Sequence, residues 1–301
     1  MRLINSVNYP SIWPMETCIE IKNMSFFYVN DDAPADMAEL TLEDLTVLFT
    51  DFTLSFPQGV TSVLGENGIG KSTLLLLAAG RLLPVNGSVT ILGTNTSEFS
   101  RAHEAPEVEG ERNKLVSFVY QNMEFETPLP LGEVLSTVYE NGFHGPESSG
   151  LMDELIRVFD LTDELNRPTQ SLSKGAMQRA VIAMALLYGS KIIMMDEPVF
   201  AMEEPRKEAV MKYIQDYSHR TGTPIIFTAH QLHLCQEYSD TMIILRKNPD
   251  DGQLPYIMGP TKMVCTKENL EAAYRVPMET LQQKEHLYRE MLLKKGFPGK
   301  V

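Results

Sequence analysis

The stretch Gly65-Glu66-Asn67-Gly68-Ile69-Gly70-Lys71-Ser72-Thr73 constrains this chain more than any other segment. Its glycines let consecutive backbone N–H groups turn inward without a Cβ clash, and the helix expected after them adds its own free N–H groups. The product is a cradle for anionic phosphates. In such a loop Lys71 reaches the β- and γ-phosphates of a nucleotide, and the Ser72 hydroxyl coordinates Mg²⁺. Gly65, Asn67, Gly68, Gly70, Lys71, Ser72 and Thr73 are the candidate nucleotide-binding residues of this loop. The flanks suit the motif, because residues 60–64 form a short apolar strand and residues 71–81 read as a helix.

Strands alternate with helices along most of the chain. Residues 18–28 and 47–56 alternate apolar and polar positions as strands do, with an acidic loop at 30–45 between them. Further strands are expected at 88–92, 115–120, 191–195, 224–228 and 241–245, and a helix at 203–220. Residues 94–114 are polar and acidic and read as a loop or insertion. Residues 122–185 carry mostly helical periodicity, broken by Pro128, Pro130, Gly142, Gly145, Pro146 and Pro168, as an inserted helical subdomain would be. Beyond Arg246 the pattern changes. Residues 278–295 read as an amphipathic helix with Leu281, Tyr288 and Leu292 on one face, stopped by Gly296 and Pro298. Alternating strands and helices imply a mostly parallel sheet covered on both faces.

Composition narrows the partners. Forty acidic against 26 basic residues leave a net charge of -14, which argues against a nucleic-acid surface. Three scattered cysteines, Cys18, Cys235 and Cys265, make no disulfide framework and fit a reducing compartment. No apolar run reaches the roughly 18–20 residues a membrane span requires, and the N-terminal residues lack a signal-peptide core. The expectation is a cytoplasmic protein; if it serves a membrane process, another chain supplies the pore.

A second motif, Ile192-Ile193-Met194-Met195-Asp196-Glu197, ends a buried strand in two carboxylates. That edge is where open α/β sheets bind ligands. Asp196 is the candidate to hold Mg²⁺ through its water shell, and Glu197 the candidate general base for an attacking water.

With these two motifs and those that follow, residues 16–246 resemble an ATP-binding cassette (ABC) ATPase, the nucleotide-driven subunit of ABC transporters. Leu172-Ser173-Lys174-Gly175-Ala176-Met177-Gln178-Arg179 is similar to the family signature, usually LSGGQxQR. The resemblance implies that Ser173 and Gly175 are presented across a dimer to the γ-phosphate bound by the other cassette. Gln121 matches the glutamine that reaches Mg²⁺ and water, and His230 the switch histidine at the γ-phosphate. Tyr28 matches the aromatic that stacks on adenine, with Phe26 and Phe27 as alternatives. The catalytic set is then Glu197, His230 and Gln121, and the metal set Ser72, Gln121 and Asp196.

The fold implied is an α/β P-loop NTPase of the RecA-like type: a mostly parallel sheet core, an antiparallel β portion and an inserted helical subdomain at about 122–180. Residues 247–301 would be a C-terminal extension. The implied function is ATP hydrolysis, with ATP and Mg²⁺, energising a separate integral membrane permease through dimerisation with a second cassette, homo- or heterodimeric. The protein would sit peripherally on the inner face of the membrane. The alternative is a soluble ABC ATPase acting on a cytosolic partner. Residues 263–274 are similar to a tail segment of ATPases that power uptake of chelated iron, haem or cobalamin. Three positions depart from the pattern: Lys174 stands for a glycine, Ala176 for a glutamine, and Glu203 for an aspartate in a loop that communicates across the dimer. His230, His233 and Cys235 also carry metal-ligand residue types, but His230 is already assigned.

Overall fold

The computed structural model describes residues 7–8, 16–34, 40–121, 123, 127–144, 150–247, 254–281 and 283. Among them the strands form two sheets. The larger has the order β1(Val7–Asn8), β11(Tyr256–Pro260), β10(Thr241–Leu245), β4(Val60–Leu64), β9(Ile225–Thr228), β8(Ile192–Asp196), β7(Val116–Val119). The strands from β10 to β7 run parallel, and β11 is antiparallel to β10. The smaller sheet is antiparallel, in the order β3(Leu45–Pro57), β2(Thr17–Val29), β5(Asn86–Ile91), β6(Thr94–Asn95). A mostly parallel core with an antiparallel portion is the architecture the sequence implies.

The inner strands of the large sheet are short apolar runs because both of their faces are covered. Alternate residues enter opposite cores. Ile192 and Met194 of β8 pack with α1(Lys71–Ala78) and the phenylalanines Phe49, Phe52 and Phe56 of β3. Ile193 and Met195 face the other way, against α5(Lys174–Tyr188), α6(Glu204–Thr221) and α7(Leu232–Tyr238). Helix α1 is therefore clamped between the two sheets, with Leu74, Leu75, Leu77 and Ala78 fully buried. That clamp fixes the loop at its N-terminus.

The inserted subdomain contains α3(Leu131–Glu140), α4(Leu151–Val158) and α5, and α3 and α4 both pack on α5. Residues 94–114 are not a loop throughout. They include α2(Pro106–Leu115), which begins with Pro106 and places Glu107 and Glu109 in its first turn and Arg112 and Lys114 in its last. Proline is tolerated at the first helical position, and these charges oppose the helix dipole. The helix docks through Glu109, which binds Arg81 at 3.0 Å and also Arg112.

The C-terminal extension joins the main core. Strand β11 extends the large sheet. Val264 of α8(Thr261–Val264) and Leu270 and Ala273 of α9(Lys267–Tyr274) are buried in the same cluster as β8 and α5. The helix expected at 278–295 begins within the described residues at 278–281; Tyr288 and Leu292 lie outside them.

Candidate active site

Parallel strands deliver their C-terminal ends to one edge, and the chemistry-bearing residues follow those ends. Gly65 follows β4, Gln121 lies just past β7, Asp196 ends β8, Thr228 ends β9, and His230 lies two residues further. At Gly65 the backbone has φ +151°, and an added Cβ would sit 3.0 Å from the Leu245 carbonyl of β10. At Gly70, the N-cap of α1, φ is +103° and a Cβ would meet the Phe49 ring at 3.3 Å. A side chain at either position would push the loop off the sheet. Gly68, also at positive φ, faces open space.

The Lys71 ammonium donates to the carbonyls of Gly65 (2.8 Å) and Glu66 (3.0 Å), so the lysine reaches back across its own loop. Burial holds its pKa below the usual lysine value, and the carboxylates of Glu197 and Asp196 offset only part of that.

The two acids are held by neighbours. The Thr228 hydroxyl donates to Asp196 Oδ1 (2.5 Å) and accepts from the Glu197 N–H (3.0 Å). Glu197 adopts φ +49°, a left-handed backbone that costs about 1–3 kcal/mol for a residue with a side chain and persists where neighbours over-determine it. Those neighbours are Thr228 and Gln178, whose Nε2 donates to the Glu197 carbonyl (3.2 Å) while its Oε1 accepts from Ala201 N–H (2.9 Å). The Glu197 carboxylate is nearly buried. Gln121 Nε2 donates to its Oε2 (2.9 Å), and His230 Nε2 lies 2.5 Å from its Oε1. The structure thus brings Gln121, Glu197 and His230 together beside Asp196 and Lys71.

Ser173 and Gly175 lie at the N-terminus of α5, which is where an anion site would form. The Ser173 hydroxyl accepts from Ala176 N–H (3.2 Å) as an N-cap, and Lys174 is exposed beside it. A Cβ on Gly175 would lie 3.2 Å from the Ala201 carbonyl, so the small residue lets the loop after Glu197 pack on this helix. Arg179 points away from that face and donates to the carbonyls of Phe159 (2.7 Å) and Asp160 (3.3 Å), bracing α4. Tyr28 is exposed and its hydroxyl lies 3.2 Å from Thr73 Oγ1, at the start of α1. Phe26 is buried in the core, and Phe27 is partly buried.

The donor set fits Mg²⁺, a hard cation that takes few protein oxygens and keeps waters and phosphates as its other ligands. Ser72 offers an exposed hydroxyl and Asp196 a carboxylate at the same sheet edge. His233 and Cys235 belong to α7, where Cys235 is fully buried. Among the described residues no group of three His, Cys, Asp or Glu side chains is disposed to hold a metal ion.

Residues 49–200 match the family model described as ABC transporter. The chain belongs to the ABC transporter family. Its cassette is 31% identical over 231 residues to an ABC transporter ATP-binding protein of Pyrococcus horikoshii, covering 73% of this chain and 80% of that one. It is 27% identical over 206 residues to the molybdenum import ATP-binding protein ModC of Saccharophagus degradans, covering 67% of this chain. This chain spans about half of that relative's length, 54%. Among solved structures, cbiO1 from Clostridium perfringens, part of the ABC transporter complex cbiONQ, superposes with a TM-score of 0.62 at 18% identity, covering 92% of this chain and 98% of that one. A cassette dimer bound to ADP and Pi superposes with a TM-score of 0.60 at 22% identity, over 75% and 93% of the two chains. These likenesses bear out the P-loop fold. Among the described residues no helix is long and apolar enough to cross a membrane.

Three residues at this edge carry geometry that motif reading did not assign. Thr228 and Gln178 clamp the acidic pair, and Leu245 sets the space that only glycine fits at position 65. Gln178 belongs to the signature stretch, but its role as a tie to Glu197 needs the fold. Thr228 reads as one more residue of an apolar strand.

Proposed function

We propose that this chain binds and hydrolyses ATP as a subunit of an ABC transporter, and that dimerisation with a second cassette energises a separate membrane permease. The observation that carries the reading is the convergence of Gln121 and His230 on the two carboxylate oxygens of Glu197. A carboxylate gripped at both oxygens has a fixed lone-pair direction, which is what a general base needs. In this reading Glu197 accepts the proton of the attacking water, Gln121 and His230 orient it, and Lys71 balances charge on the β- and γ-phosphates. Gly65, Asn67, Gly68, Gly70 and Thr73 supply the phosphate cradle, and Tyr28 covers the base. Ser72, Gln121 and Asp196 would hold Mg²⁺, which neutralises the phosphate oxygens when bound. Ser173 and Gly175 serve the partner cassette's γ-phosphate.

Binding energy realised only when two cassettes meet across ATP shifts the population toward the closed dimer. Met123, Leu129 and Phe143 expose apolar surface on or next to the inserted subdomain and suit a permease contact. The relatives described as molybdenum importers favour import over export. The test is a mild-detergent pull-down of the tagged protein from its native membranes. A stoichiometric integral membrane protein is expected. A preparation free of any permease, under conditions that keep a control transporter intact, would refute the transporter assignment and point to a cytosolic partner.

A further inference from the structure

The loop after Glu197 ends at Glu204, the first residue of α6, and one turn later Lys207 is buried to 1% exposure. An ammonium withdrawn from water is costly unless it is paired and hydrogen-bonded. Lys207 Nζ donates to Glu204 Oε1 (2.9 Å), and the same oxygen accepts from Gln231 Nε2 (2.8 Å). The i, i+3 spacing puts the two charges on one face of the helix, and Glu204 also gains from the helix N-terminus. Gln231 is the N-cap of α7 and follows His230 directly. His230, Gln231, Lys207 and Glu197 all line one cleft of about 1030 Å³.

The His230 side chain is partly exposed, at 42%, and its Nε2 lies 2.5 Å from Glu197 Oε1, the group it must meet. Placement of the imidazole then depends on its backbone, and Gln231, the next residue, ties that backbone to the buried Lys207–Glu204 pair. We propose that Glu204, Lys207 and Gln231 form a positioning relay that fixes the His230 loop against the start of α6, so that the imidazole reaches Glu197. The relay rests on the reading of Glu197 and His230 as the hydrolytic pair. Lys207 contributes its charge: Lys207→Met keeps the aliphatic stem but removes the ammonium that holds Glu204 in place.

The experiment is steady-state ATP hydrolysis by the full chain with MgATP, for Lys207→Met, Gln231→Leu and Lys207→Arg, each in the native and His230→Ala backgrounds. Misplacement of a reacting group by about 1 Å lowers turnover up to about 100-fold, so Lys207→Met and Gln231→Leu should lose roughly 10- to 100-fold in kcat with KM within about twofold. Lys207→Arg should recover most of that loss. In the His230→Ala background the first two substitutions should cost less than about twofold, because nothing remains to position. Gln231→Leu, at a partly exposed site, carries the test if Lys207→Met does not fold. Unchanged kcat in both variants, or the same fractional loss with and without His230, would overturn the relay. His230→Ala with native turnover would instead overturn the hydrolytic-pair reading beneath it.

Discussion

Thr228 serves both members of the acidic pair, donating to Asp196 and accepting from the Glu197 backbone. Valine has the same shape without the hydroxyl. Thr228→Val should therefore leave a buried carboxylate oxygen and a buried N–H without this partner, at a cost of about 1–3 kcal/mol. Thermal unfolding would register that loss, and phosphate release should fall by roughly tenfold or more as Glu197 loses its hold. A variant with native stability and turnover would show that the strained Glu197 backbone needs no such clamp. The phosphate loop and the strand-end acids pointed to Lys71, Asp196 and Glu197, and the family resemblance supplied Gln121 and His230, because those residues follow strand ends in the sequence. Thr228 was invisible for the opposite reason: its partners are 32 and 31 residues away, across the sheet.

At the scale of the element, two segments were not legible in the sequence, and each has a physical cause. Helix α2 has a single buried residue, Arg112, so no apolar stripe marks it in the sequence. What orders it is a polar cluster. Arg81 binds Glu109 and Asn113, and Arg112 binds Glu109 and the Gly80 carbonyl. Burial disfavours ionisation of Glu109, but the hydrogen bond and charge of Arg112 and the charge of Arg81 outweigh it, so its pKa is lowered. A lowered carboxylate pKa contributes stability above the unfolded value and loses it as pH falls through the folded one. Glu109→Gln should therefore be less stable than the native chain at neutral pH, and the gap should close in acid; a gap independent of pH in urea titrations would contradict this. The other segment, β11, is five residues preceded by Pro255 and ending in Pro260, and it carries no clear alternation.

Helix α6 offers a second check. Its N-cap, Glu203, makes no capping hydrogen bond, whereas the shorter aspartate usual at this position in the family is a strong N-cap residue. Glu203→Asp should raise stability by about 0.5–1 kcal/mol, read as a higher urea midpoint. A decrease would mean that Glu203 makes a contact which the capping argument overlooks.

For the whole molecule, one sheet edge collects the chemistry and two cores hold that edge rigid. The C-terminal extension is part of this construction. Ile257, Val264 and Leu270 are at most 3% exposed. Each fully buried aliphatic side chain contributes about 1.5–3 kcal/mol, so their sum rivals the roughly 5–15 kcal/mol stability of a whole domain. A chain ending at residue 246 should be insoluble or unfolded by circular dichroism; a cooperative melt like that of the full chain would contradict this packing account. The fold class was legible because alternation and the phosphate loop are local signals. The docking of the extension was not, because it depends on pairing with β10 and on packing against distant helices.

The central claim is that Glu197, gripped by Gln121 and His230, activates water at this edge. Steady-state phosphate release from MgATP by the native chain and by Glu197→Gln, with nucleotide binding measured in parallel, tests it most directly. Native turnover, loss of about 100-fold or more in the variant and retained ATP binding are the predicted result. Phosphate release by Glu197→Gln equal to that of the native chain would contradict the claim and leave Glu197 as a structural acid.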